Sequence, residues 1–157
     1  MPALRAALEA AGLGEARTYL QSGNVVLAKR ASAARIREVI RDEFGLEVEV
    51  VTRTRDELAR VAERNPLARV AKDPKRYQVS FLDRALSKET VAKLESLRAN
   101  GEALVVDEKE VYAWHPAGVA RSKLWAALAG KGLGVTATSR NWTTVQALLA
   151  LADETAG

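Results

Sequence analysis

The chain has no cysteine, one histidine (His115) and one methionine (Met1). Without cysteine there is no disulfide framework, no thiol nucleophile and no cysteine-ligated zinc or iron–sulfur centre. A single histidine excludes a histidine-rich metal site within one chain, and any Ser-His-Asp relay would have to run through His115. Long apolar runs are also missing. The longest nearly apolar run, Val145–Ala152, falls far short of the roughly 20 residues a membrane helix needs. Arg5 and Glu9 interrupt the start of the chain, so it has no secretory apolar region. These absences predict a cytoplasmic protein with no membrane partner, no metal and no cofactor. Acidic residues are absent from Val111 to Ala152, where Arg121, Lys123, Lys131 and Arg140 lie. A uniformly positive segment of this kind can attract an anion.

What is present is ordinary globular composition. The 157 residues are 48% hydrophobic and 28% charged, enough for one domain or two small halves with a real core. The net charge of +4 is too mild to imply nucleic acid by itself.

Periodicity and capping residues divide the chain into short elements. Leu4, Leu8 and Ala11 mark a helix over 2–11, ended by Gly12 and Gly14. Residues 17–20 and 24–29 read as a hairpin around Ser22-Gly23-Asn24. Ser32 caps a helix to Phe44 that Gly45 closes. Residues 48–53 read as a strand. Thr54 with Glu57 forms a capping box for a helix to Arg64, stopped by Asn65-Pro66. Residues 66–75, with Pro66 and Pro74, read as a linker. A strand over 76–82 follows, then a Ser87-capped helix over 87–99 and a second hairpin of 103–107 and 110–115. A Ser122-capped helix over 122–130, a strand over 135–138 and an Asn141-capped helix over 141–153 complete the chain.

The two halves repeat one order, αββαβα, at an offset of about 86–90 residues. The second half begins with one additional strand, 76–82, which makes it βαββαβ, the ferredoxin-like pattern. The predicted fold is therefore α+β, with two ferredoxin-like halves, the first lacking its leading strand. The first half covers 1–65, and the second half with its C-terminal helix covers 76–157. The offset places the counterpart of strand 76–82 ahead of Met1. This predicts a reading frame that starts upstream or a truncated chain, shorter by roughly 10–25 residues.

Three segments resemble the DUF1697 family of bacterial proteins. They are Thr18-Tyr19-Leu20-Gln21-Ser22-Gly23-Asn24-Val25-Val26, Gly118-Val119-Ala120-Arg121-Ser122-Lys123, and Thr138-Ser139-Arg140-Asn141-Trp142-Thr143-Thr144-Val145. The resemblance runs over essentially the whole chain. It implies two ferredoxin-like subdomains and no established activity. It also implies a leading strand and an Arg-Gly-Ile-Asn-Val-Gly-Gly-like loop, both absent from this chain.

The candidate chemistry lies at helix starts. Arg121-Ser122 and Arg140-Asn141 each set an arginine before a capping residue, where free N–H groups and the helix dipole favour an anion. Lys123 adds charge to the first of these. The tip Gln21-Ser22-Gly23-Asn24 carries amide and hydroxyl groups. The expected site combines Gln21, Ser22 and Asn24 with Arg121, Ser122, Lys123, Arg140 and Asn141. In it, the cations neutralise an anionic or phosphorylated small molecule, and Gln21 and Asn24 orient it. The alternatives are a nucleic-acid-binding module and an interaction module that forms a homodimer through open sheet edges. Tyr77, Phe81, Tyr112 and Trp114 form the aromatic pattern of an RNA-stacking sheet, without the ribonucleoprotein motif. His115 reads as a surface or interface histidine. Asp107, Glu108 and Glu110 read as a solvated turn. Gly130, Gly132 and Gly134 follow a helix, so they are no dinucleotide fingerprint. No nucleophile or general base stands out, which leaves open whether the protein is an enzyme.

Overall fold

The computed structural model describes residues 2–19 and 23–156. In chain order the elements are α1 (Pro2–Ala10), β1 (Ala16–Tyr19), β2 (Asn24–Leu27), α2 (Ala33–Phe44), α3 (Arg55–Arg64), β3 (Tyr77–Leu82), α4 (Lys88–Ser96), β4 (Ala103–Asp107), β5 (Glu110–Trp114), α5 (Lys123–Ala129), β6 (Ala137–Asn141) and α6 (Trp142–Ala156). They form two compact units. One is Met1–Ala59 with Gln146–Gly157, and the other is Arg60–Val145. The division falls inside α3 and α6, while residues 66–75 are turns within the larger unit.

Local chemistry explains where the helices start. The hydroxyls of Ser32, Ser87 and Ser122 accept the backbone N–H of Arg35, Thr90 and Trp125. Thr54 and Glu57 close a reciprocal capping box, with bonds of 3.1 and 2.8 Å. Asn141 Oδ1 accepts the N–H of Thr144 at 2.9 Å. Each cap satisfies a donor that the first helical turn leaves unpaired. At the other end of α2, Gly45 takes φ 68°, and its N–H bonds Arg41 O; a Cβ there would be strained.

The larger unit is a complete ferredoxin-like domain. Its sheet order is β4-β5-β3-β6, with every neighbouring pair antiparallel. All six residues of β3 are buried, because the sheet is covered on both faces. On one face Leu82, Val111 and Ala113 pack with Leu94 of α4 and with Leu124 and Leu128 of α5. Burying a leucine side chain contributes about 1.5–3 kcal/mol. On the other face Tyr77 stacks on Trp142 with ring centroids 4.7 Å apart. Tyr77 Oη donates to Asn65 Oδ1, and Tyr112 Oη donates to Val61 O. Burial pushes the Tyr77 phenol up to about 12 and raises that of Tyr112 as well, so both remain neutral donors. The strand expected over 135–138 lies at 137–141, because its ladder with β3 runs on to Asn141 opposite Gln78.

The smaller unit holds less. β1 and β2 form a two-stranded antiparallel sheet with Ala16 opposite Leu27. Its core is Leu8, Leu13, Ala16 and Val39, with Val25, Leu27 and Ile36 packed against it. The strand expected over 48–53 does not form: residues 46–54 carry neither ladder nor helix. The larger unit supplies the reason. There β6 pairs only with β3, and no counterpart of β3 exists among the described residues of the smaller unit. Among the described residues the segment therefore has no backbone partner, and Leu46 and Val48 stay exposed while Val50 and Val51 are half-buried. Phe44, Leu46 and Val48 are 38%, 56% and 37% exposed.

Candidate functional site

The strand registers bring the start of β3, the start of β4, the end of β5 and the end of β6 to one end of the larger unit's sheet. Three polar side chains converge there. Glu102 precedes β4, His115 follows β5, and Ser122 opens α5. Glu102 Oε2 lies 2.6 Å from His115 Nδ1 and accepts Ser122 Oγ–H at 2.6 Å. The other oxygen, Oε1, accepts the N–H of Ala99 at 2.9 Å. His115 is fully buried, and its ring meets Trp125 edge-on with centroids 5.9 Å apart. Its backbone is fixed on both sides, the N–H donating to Arg76 O and the carbonyl accepting from Gly118. Burial pushes the Glu102 carboxyl up, but the bonds from His115, Ser122 and Ala99 outweigh it and hold the group below the usual carboxylate value.

This cluster locks the fold and is not arranged for nucleophilic chemistry. In a Ser-His-acid relay the serine and the carboxylate occupy opposite ring nitrogens. Here both lie on the Nδ1 side, with Ser122 Oγ 3.3 Å from Nδ1. Ser122 Oγ is further engaged in accepting the Trp125 N–H. His115 Nε2 is buried and has no hydrogen-bond partner among the described residues. The expectation of a surface histidine is thus corrected: the turn over 115–118 folds the ring inward onto Glu102. The turn carboxylates also differ from a solvated group. Glu110 is buried, and Asp107 pairs with Arg64 at 2.6 Å. Glu102 is the residue that sequence reasoning missed. No local pattern marks it, since its partners lie 13 and 20 residues away.

The expected ligand residues separate as follows. Gln21 and Ser22 lie outside the described residues. Asn24 belongs to the smaller unit, where it is buried and its Nδ2 donates to Tyr19 O across the hairpin. Arg121, Ser122, Lys123, Arg140 and Asn141 belong to the larger unit, all at the same end of the sheet. Arg121 and Lys123 are exposed. Asn141 stands at the end of β6, two strand positions or about 10 Å from β5. Arg140 is half-buried and donates to Thr138 Oγ1 at 2.7 Å and to Ser139 O at 2.8 Å; burial lowers its pKa. The helix-start donors are largely used within the chain. Ser122 serves Trp125 and Glu102, Asn141 serves Thr144, and the N–H of Trp142 bonds Pro74 O at 3.1 Å. Tyr77, Phe81 and Tyr112 are buried, so those rings offer no stacking surface. Among the described residues no group of three His, Asp or Glu side chains is placed to hold a metal ion. No helix of the described residues is long and apolar enough to cross a membrane.

The family described as "Protein of unknown function (DUF1697)" matches residues 1–112. The chain belongs to this family. The DUF1697 match covers the hairpin tip and the structure through β4 and into β5. The chain is also similar to a solved structure, that of the conserved bacterial protein SP0830 from Streptococcus pneumoniae. The identity is 19% and the TM-score 0.66, over 95% of this chain and 86% of the other. At that identity the likeness shows a shared fold. No curated protein matches. This DUF1697 chain thus has a defined architecture, and its function has to be argued from its own surfaces.

Proposed function

We propose that the protein is an interaction module that pairs the open edge of β2 with a strand of another polypeptide. The observation that carries this reading is the two-stranded sheet of the smaller unit. Ala28 N–H donates to Glu15 O, so the antiparallel alternation turns Val26 toward β1 and turns the N–H and C=O groups of Val25 and Leu27 outward. An unpaired row of this kind is a template for strand addition. The far side of β1 is different. There Ala16 N–H donates to Glu9 Oε2 at 3.1 Å, and Arg17 pairs with Glu15 and Glu154. Among the described residues one edge is therefore covered and the other is open. Replacing Val25 with Pro removes an outward donor and leaves the β1 bonds in place. If the reading holds, V25P abolishes binding of strand-forming peptides while circular dichroism shows the fold retained. Binding that survives V25P rejects it. A cytoplasmic location fits the absence of cysteine.

A second reading, binding of a phosphorylated or other anionic small molecule, is favoured by Arg140. Its guanidinium is half-buried and oriented by Thr138 and Ser139, in a stretch without acidic residues. Inorganic phosphate then raises the melting temperature, and Arg140→Ala removes the shift; a shift unchanged in R140A rejects this reading.

A further inference from the structure

We infer that one end of the larger unit's sheet is a surface for single-stranded nucleic acid. It holds the phosphodiester backbone on five exposed cations, Arg69, Lys72, Lys75, Arg121 and Lys123, and stacks bases on two tryptophans beside them. The surface lies wholly within the larger unit, so it does not depend on the strand-pairing reading.

Charge is divided unevenly along this sheet. The segments at one end, 65–76, 97–102 and 115–123, carry seven lysines and arginines against two acids. Those at the other end, 83–89, 107–110 and 130–136, carry four cations against the five acids Asp83, Glu89, Asp107, Glu108 and Glu110. Both acids of the first end are engaged within the chain. Asp73 lies 3.7 Å from Arg76 and accepts the N–H of Lys75 at 2.9 Å. The Glu102 carboxylate is buried against His115 and Ser122. Arg69, Lys72, Lys75, Arg121 and Lys123 are exposed and form no ion pair among the described residues. Cations gathered without counter-charges repel one another and raise the local potential, which a polyanion relieves.

The loops that carry these cations are tied together. His115 N–H bonds Arg76 O, and the Arg76 guanidinium donates to Pro116 O. Trp142 N–H bonds Pro74 O. Glu102 joins His115 to Ser122, the residue between Arg121 and Lys123. The polar lock thus fixes the backbone on which Lys75, Arg121 and Lys123 stand, and cations placed in advance cost less to order on binding. Trp114 ends β5 and Trp125 lies in the first turn of α5. Both are half-buried, unlike the buried Tyr77, Phe81 and Tyr112. Rings beside cations suit a single strand, whose phosphates take the charges while its unpaired bases stack. An acidic peptide or an anionic membrane uses the charges alone.

The test uses the full chain and a fluorescein-labelled single strand of about twelve nucleotides, made once as RNA and once as DNA. Binding is read by fluorescence anisotropy and by tryptophan emission. The expected result is binding of at least one form, with quenched tryptophan emission and steep weakening by salt. Lys75→Gln, Arg121→Gln and Lys123→Gln combined weaken binding at least about tenfold at low salt, and the slope of log affinity against log salt falls by about 2. Lys88→Gln, Lys109→Gln and Lys131→Gln combined, at the other end of the sheet, leave binding within about twofold. All six side chains are exposed, and circular dichroism checks that both triple variants keep the fold. No loss in the first triple, or an equal loss in the second, overturns the assignment to this surface. Unchanged tryptophan emission on binding, or tighter binding of a duplex of the same length, overturns the single-strand assignment. Binding of polyglutamate or of phosphatidylserine vesicles without binding of either oligonucleotide overturns nucleic acid as the partner. No binding of any of these probes overturns the proposal outright.

Discussion

The two units are built from the same kinds of element, yet one has a four-stranded sheet and the other a two-stranded one. In the larger unit β3 bonds β5 and β6, and every residue of β3 is buried. In the smaller unit β2 pairs with β1 alone among the described residues, and residues 46–54 form no ladder. One central strand accounts for both differences. It supplies the backbone partners of two neighbours at once, so without it a sequence with strand periodicity has nothing to bond. Strand propensity is expressed only when pairing is available.

Hydrogen exchange should give the widest contrast. Amides of β3 are expected to exchange only through global opening, whereas those of Leu46–Val51 exchange at nearly unprotected rates, a difference of several orders of magnitude. Comparable protection in both would break the comparison. Next comes side-chain truncation. Leu124, fully buried in the larger core, should lose about 2–5 kcal/mol on change to alanine. Phe44, exposed on the smaller unit, should change stability by no more than about 0.5 kcal/mol. Urea denaturation of the two variants checks this, and a large loss at Phe44 would show that the end of α2 is covered in solution.

A smaller effect is expected at the polar lock. Glu102→Gln should cost about 1–3 kcal/mol at neutral pH, because it weakens bonds to buried partners. The carboxyl of Glu102 is held below its usual value when folded. Its contribution is therefore fully present above the unfolded carboxylate pKa and is lost as pH falls through the lower, folded value. The difference between wild type and E102Q should shrink over that acidic window. A constant difference down to the acid transition would show that the carboxylate charge contributes nothing.

Much of the fold was legible in the residues. The caps Ser32, Thr54, Ser87, Ser122 and Asn141 act through contacts within three residues, so local spacing was sufficient to find them. The βαββαβ order of the larger unit followed from periodicity and capping signals. The site was less legible. The Glu102–His115–Ser122 cluster depends on a turn that carries His115 inward and on strand registers that bring together residues far apart in sequence. Nothing near Glu102 signals that contact. Residues 48–53 have the alternation of a strand, but whether they pair depends on a neighbour that the alternation does not describe.

The sequence by itself determined where the helices start, the repeated order and the chemistry excluded by the lack of cysteine, because each depends on residue identity or on spacing within a few positions. The tertiary structure decided which edges are covered, which polar groups are buried together and which strand-like segment stays unpaired. Those outcomes depend on whether a partner is within hydrogen-bonding distance, and that is a property of the assembled chain.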